Sequence, residues 1–299
     1  MTGLGAQRLR VVAFTTLAPL AQGFDRMLGG MGHRLVGIVT TPGPASRRSD
    51  TYLEVVRSAR PGVDVIVTNH PKRLPSMLAP LRPDLILCGS FPWRISPEVF
   101  ALARYGAING HPGLLPKYRG PNSVGWAFRN GDAELGFCVH RMDAGFDTGP
   151  IYNQVTVPIL DDDTAEDALR RLFGTGFALY AEAIQRAQAG DPGEAQDESR
   201  AGHAPLFTAE QREIDWDRPA REVHNIVRGW HGLGDIPAGA FATLNGRRVL
   251  IRRTRLIPDA ARVEATPGSV LAERAGELTV QCADGPLGIV QFDVAEAAA

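Results

Sequence analysis

Residues 107–154 read AINGHPGLLPKYRGPNSVGWAFRNGDAELGFCVHRMDAGFDTGPIYNQ. Ala107-Ile108-Asn109 has the character of a short buried strand, and at its end stand an amide, Asn109, and an imidazole, His111. Gly110 lies between them, where a bulky side chain is expected to crowd anything bound. A loop follows that Pro112 and Pro116 stiffen, because proline fixes φ and lacks an N–H. A second strand is expected from Leu135 to Met142, and the turn Asp143–Gly149 beyond it carries a carboxylate at Asp147. In an open α/β sheet, ligands lie outside the carboxyl ends of the strands. Taken singly, a histidine before proline, an asparagine at a strand end and an aspartate beside glycine are ordinary turn chemistry. Taken together, three such groups at strand ends in one half of the chain make a catalytic group.

Upstream, Leu9–Phe14, Leu35–Thr40, Val63–Thr68 and Leu85–Cys88 are apolar runs of the buried parallel-strand type. Between them lie an amphipathic segment near Leu20–Leu28, the polar loop TPGPASRRSD and a helix over Tyr52–Ala59. Gly29, Gly30 and Gly32 follow a helix instead of joining a strand to one, so they read as a C-cap and not a dinucleotide loop. This alternation predicts an α/β fold with a doubly wound, mostly parallel sheet. After the fourth strand comes GSFPWRI, residues 89–95. Its Phe91 and Trp93 either pack over the sheet edge or form a wall for a flat heteroaromatic ring.

Downstream, three aspartates at 161–163 suggest a metal, but the apolar positions Ala168, Leu169, Leu172, Phe173, Ala178 and Leu179 have helical spacing. Asp163 or Thr164 then reads as the N-cap, in a first turn that favours acidic residues. The helix ends near Gly190, and the polar stretch 191–206 is expected to be a linker. The expected division is a first domain over 1–190 and a second over 207–299. The second opens on a helix from Pro219 to Trp230. Short strands follow at 240–244, 249–256, 268–271, 278–282 and 288–292, broken by Asn245-Gly246 and other Gly/Asp turns. That pattern suggests a small open β-barrel-like domain.

The chain has 299 residues, 44% hydrophobic and 22% charged, with a net charge of −1. This is ample for a sizeable core, and it gives no bulk attraction to nucleic acid or to anionic lipid. Arginine supplies nearly all the positive charge, Lys72 and Lys117 being the lysines. Cys88, Cys138 and Cys282 are far apart and odd in number, which argues against a disulfide framework or a thiolate metal site. No apolar run reaches the roughly 18 residues of a membrane span. A cytoplasmic protein with no membrane partner is expected.

INGHPGLLPKYRG followed by MDAGFDTGPI, with Asn109 standing 38 positions before Asp147, resembles the paired signature of the 10-formyltetrahydrofolate-dependent formyltransferases. The resemblance implies Asn109, His111 and Asp147 as catalytic residues. It places 10-formyltetrahydrofolate, the formyl donor, against Phe91, Trp93, Ile95, Met142, Asp143 and Ala144, largely through backbone. It implies transfer of the formyl group to an amino group without a metal. In that chemistry Asn109 is an expected donor to the formyl oxygen, and so is His111 if it is protonated, with Asp147 as the neighbour that raises the imidazole pKa. Ile214-Asp215-Trp216 and the following helix resemble family members with a C-terminal domain, the methionyl-tRNA formyltransferases above all. Two features depart from those. TPGPASRRSD is shorter than their tRNA-contacting loop, with only Arg47 and Arg48, and the second domain is not basic overall. Arg247, Arg248, Arg252, Arg253 and Arg255 either bind phosphate backbone or form a solvated face. The C-terminal resemblance makes initiator methionyl-tRNA the first expected acceptor, and the two departures make a small molecule a serious rival. The alternative is a small amine, either an amino sugar nucleotide or a hydroxyornithine-type siderophore precursor. A formyltetrahydrofolate hydrolase would use the same trio on water.

Overall fold

A computed structural model describes residues 8–44, 49–230, 239–258 and 264–294. Arg47 and Arg48 lie outside the described residues. Contacts divide the chain into two compact units: one from residues up to Arg119 with Phe137–Val155 and Phe173–Gly202, the other from Gly120–Gly136, Thr156–Leu172 and His203 onward.

The first sheet has seven strands: β1 (Arg10–Phe14), β2 (Arg34–Thr40), β3 (Asp64–Val67), β4 (Leu85–Gly89), β5 (Ala107–His111), β6 (Glu134–Arg141) and β7 (Ile151–Pro158). Their order is β3-β2-β1-β4-β5-β6-β7. From β3 through β5 the pairs are parallel, and β6 runs antiparallel to β5. The mostly parallel, doubly wound expectation describes this sheet, with the reversal confined to one side. β1 and β4 are buried at almost every position, as strands covered on both faces must be. β7 was not expected from the sequence; it alternates half-buried and exposed residues after its second position.

The helices are α1 (Ala18–Gly30), α2 (Thr51–Ser58), α3 (Leu74–Leu78), α4 (Pro97–Phe100), α5 (Ser123–Arg129), α6 (Ala165–Gln188) and α7 (Ala220–Gly229). The glycine run does end α1. Gly32 adopts φ +79°, and the amides of Gly32 and His33 bond the carbonyls of Gly29 and Leu28 at 3.1 and 2.8 Å. That is a Schellman cap, which a glycine forms without Cβ penalty. At the start of α6, Thr164 and Asp167 bond each other's amides reciprocally, at 3.3 and 3.0 Å. Asp163 instead pairs with Arg171. Among the described residues, no group of three His, Cys, Asp or Glu side chains is placed to hold a metal. No described helix is long and apolar enough to cross a membrane.

The second sheet is antiparallel and open, with order β10-β11-β12-β9-β8. Its strands are β8 (Ala240–Leu244), β9 (Arg247–Leu256), β10 (Val270–Arg274), β11 (Glu277–Gln281) and β12 (Pro286–Val294). Asn245 and Gly246, at φ +48° and +73°, make the two-residue hairpin turn that the sequence suggests. Ala275-Gly276 repeats it at +51° and +82°, which sets β10 later than the expected 268–271. Ile226, Val227 and Trp230 pack with Ala240, Val249, Ile251, Val280 and Ile289 in this unit's core.

Candidate active site

β5 is the strand on which the site is built. It pairs with β4 on one side, Cys88 opposite Asn109, and with β6 on the other, Asn109 opposite His140 and His111 opposite Cys138. The strand continues through His111, two residues past the expected end, and stops where Pro112 has no N–H to offer. Side chains alternate along a strand, so Asn109 and His111 share one face and Gly110 the other. This corrects the expected role of Gly110. A Cβ there would meet the Tyr180 hydroxyl at 2.3 Å and ring atoms of Tyr180 and Phe137 at 2.6 and 2.7 Å. Glycine is required by the core beneath the strand, not by a ligand above it.

The three polar groups converge. Asp147 places Oδ1 3.4 Å from Asn109 Nδ2 and Oδ2 3.5 Å from His111 Nδ1. His111 Nε2 lies 2.6 Å from the Tyr118 carbonyl oxygen. A carbonyl only accepts, so Nε2 carries the proton and Nδ1 is the nitrogen that faces Asp147. His111 is 5% exposed, and burial pushes its pKa below the usual imidazole range, although Asp147 and the Tyr118 carbonyl pull it back in part. Desolvation is the larger influence on this imidazole, and the carboxylate and the carbonyl oppose it.

His140 joins the group, and the sequence reading passed over it. Its Nδ1 lies 2.9 Å from the Arg141 carbonyl, which makes Nδ1 the donor and leaves Nε2 as acceptor. Nε2 sits 3.1 Å from Asn109 Nδ2 and 3.4 Å from Asp147 Oδ1. Both amide hydrogens of Asn109 are thus engaged, one by His140 and one, over the longer distance, by Asp147. The turn that carries Asp147 is tightly made. Asp143 Oδ1 accepts from the Gly145 amide at 2.9 Å and the Thr148 hydroxyl at 2.6 Å. Asp147 itself has φ +55°, a left-handed backbone that costs a non-glycine residue about 1 kcal/mol. A Cβ on Gly149 would meet the Arg141 carbonyl at 1.9 Å.

A family model described as formyl transferase matches residues 56–184, and one described as formyl transferase, C-terminal domain, matches residues 207–298. Methionyl-tRNA formyltransferase of Pelobacter propionicus is 33% identical over 271 residues, covering 88% of this chain and 82% of that protein. The chain belongs to the formyl transferase family. At the level of fold alone it is similar to the N-formyltransferase of Helicobacter canadensis, solved with folinic acid and dTDP-3-aminofucose. The TM-score there is 0.69 at 18% identity, covering 96% of this chain and 100% of that one. It is also similar to HypX of Aquifex aeolicus, solved with tetrahydrofolic acid, at TM-score 0.67 and 20% identity. That match covers 97% of this formyltransferase but only 45% of HypX.

The residues expected to hold folate are partly assembled in the formyltransferase. Ile95 is buried in the cluster of Phe14, Cys88 and Ala107, with Phe91 and Met142 packed against it. Phe91 is not an exposed aromatic: it stands edge-on to Phe14 with centroids 5.2 Å apart. Trp93 donates its indole N–H to the Thr41 hydroxyl at 3.1 Å. Ala144 offers its carbonyl to Arg94, and Asp143 spends its carboxylate on the turn. Phe146, 60% exposed beside the trio, stands with the Arg94 guanidinium 5.9 Å from its ring centroid. In the second unit, Arg248 pairs with Glu213, Arg252 with Asp293 and Arg255 with Glu277, so most of the arginine cluster is ion-paired on the surface. Cys88 and Cys138, on either side of β5, are buried thiols whose pKa values are pushed far up, first by burial and then by the Asp147 charge.

Proposed function

We propose that this formyltransferase moves a formyl group from 10-formyltetrahydrofolate to an amino group, with Asn109, His111 and Asp147 as its catalytic residues. The convergence of an amide and an imidazole on one carboxylate, at 3.4 and 3.5 Å, carries this reading. The apolar wall of Phe91, Ile95 and Met142 suits a flat pterin, with Trp93 and the backbone of Asp143 and Ala144 completing it. Folate bound there supplies a one-carbon unit on nitrogen that an amine can attack. Asn109 exchanges its long bond to Asp147 for the formyl oxygen as charge builds, a contribution of about 3 kcal/mol for one well-placed donor. In this reading His111 Nδ1, deprotonated, and the Asp147 carboxylate stand 3.5 Å apart as two proton acceptors. That pair takes the proton released by the attacking amine and returns one to the departing folate nitrogen.

Initiator methionyl-tRNA is the acceptor we favour. Relatives at about one-third identity over most of the chain carry that activity in their names, and the C-terminal match spans 207–298. In this division 1–190 is the catalytic part, 191–206 the joining segment and 207–299 the acceptor side. Three buried free thiols suit the reducing cytoplasm. A small amine such as an amino sugar nucleotide is the second reading, supported by the ion-paired state of the arginine cluster. A panel of charged tRNAs and small amines, each with 10-formyltetrahydrofolate at rising salt, tests these. Salt-sensitive formylation of methionyl-tRNA supports the first reading; transfer to small amines alone sinks it. Formate release without any amine would mark a hydrolase.

A further inference from the structure

The stretch after α6, expected to be a plain linker, reaches back to the trio. Ile151 and Glu194 exchange backbone hydrogen bonds at 2.8 Å each, laying the stretch beside β7. Two residues on, Gln196 donates both hydrogens of its carboxamide, one to the carbonyl of Asp147 and one to that of Gly149, each at 2.8 Å. Its oxygen accepts from Arg119 Nε and Nη2 at 3.0 and 2.8 Å. The other face of that guanidinium meets Glu198 through two bonds, 2.9 and 2.7 Å long. Glu198, Arg119 and Gln196 thus form a chain in which each group fixes the orientation of the next. It ends on the two carbonyls that bracket Thr148.

We propose that Gln196 is a positioning residue for the formyl transfer, and that its carboxamide, aligned by Arg119, holds Asp147 in the left-handed backbone that aims the carboxylate at Asn109 and His111. The inference rests on the catalytic role assigned to Asp147 above. A left-handed aspartate persists only where its surroundings over-determine it. The carboxamide is the group that donates to both flanking carbonyls at once. Glutamate at this position accepts from Arg119 equally well but has no hydrogen for either carbonyl, so it separates the two ends of the chain.

The test is a double-mutant cycle on the full chain, with 10-formyltetrahydrofolate and methionyl-tRNA, or the amine that the panel identifies. Gln196→Ala and Gln196→Glu should each lower kcat about 10- to 100-fold, leave folate Kd unchanged and leave the thermal melt cooperative. Gln196→Asn, which keeps the carboxamide, should regain part of the loss. The acid limb of kcat should also move to lower pH in Gln196→Ala, because His111 loses the carboxylate that raises its pKa. In an Asp147→Asn background, adding Gln196→Ala should cost nothing further. Additive losses, or a Gln196→Glu variant as active as the parent, would overturn the proposal. A fully active Asp147→Asn would instead remove the catalytic reading beneath it.

Discussion

Burial lowers the pKa of His111, and the carbonyl of Tyr118 fixes which nitrogen looks at Asp147. Two outcomes follow at this scale. In the proposed mechanism the neutral imidazole is the active form, and with its pKa pushed below the ordinary 6.5 the acid limb of kcat/KM should fall below pH 6.5. A rate that already halves above pH 6.5 on the acid side would contradict it. Asp147→Asn removes the carboxylate of the proton-accepting pair and should cut turnover by roughly 100- to 10,000-fold while calorimetry shows folate binding intact. That Asn109, His111 and Asp147 come together could be read from two motifs at a set spacing. His140 could not be read in this way: it stands inside an apolar strand, and only the antiparallel register, with Asn109 opposite, brings it to the site. Gln196 was hidden for a related reason. Its partners lie 47 and 49 residues away, across a chain reversal that no local pattern encodes.

Among the elements, the best-read boundaries are those with side-chain chemistry at their ends. Of the three aspartates before α6, Asp161 pairs with Arg221 and Asp163 with Arg171, and the reciprocal amide bonds at the helix start join Thr164 to Asp167. Thr164→Ala should therefore cost about 1 kcal/mol, read as a lower urea midpoint with unchanged slope. Loss of a bound metal would leave a different mark, a chelator-sensitive melt. β5 shows how little tolerance a central strand has: Gly110→Ala should destabilise by about 1–3 kcal/mol through overpacking against Tyr180 and Phe137. An unchanged melting curve for that variant would mean that α6 yields easily. β7 escaped the reading because its residues Asn153, Gln154 and Thr156 dilute the apolar signal, although their alternation is what a half-solvated strand shows.

At the scale of the molecule, a seven-stranded sheet and a five-stranded antiparallel one stand in different parts of the chain. The contacts, however, interleave the chain more than a single boundary implies. The second unit carries a pH liability of its own. His224 is buried, its Nε2–H bonded to the Asp161 carbonyl at 2.8 Å and its Nδ1 2.7 Å from the Thr254 hydroxyl. Burial, and after it the Arg228 charge, pushes its pKa down to about 4. The unfolded chain takes up a proton near pH 6.5 and the folded one only near 4, so stability is full above 6.5 and drains as pH falls between the two. The loss amounts to roughly 3 kcal/mol at its limit. Denaturant melts across that window should show the slope, and His224→Gln should flatten it; parallel curves for the two proteins would exclude this histidine as the cause.

The pair of sulfurs beside β5 leaves one more mark. Both stand next to the strand that bears Asn109 and His111, yet the neighbouring carboxylate adds to burial in keeping them as thiols. A thiol without thiolate character is a poor nucleophile toward alkylating agents and peroxide. The enzyme should accordingly keep its turnover through iodoacetamide or mild peroxide at neutral pH, and yield its cysteines to labelling only once unfolded.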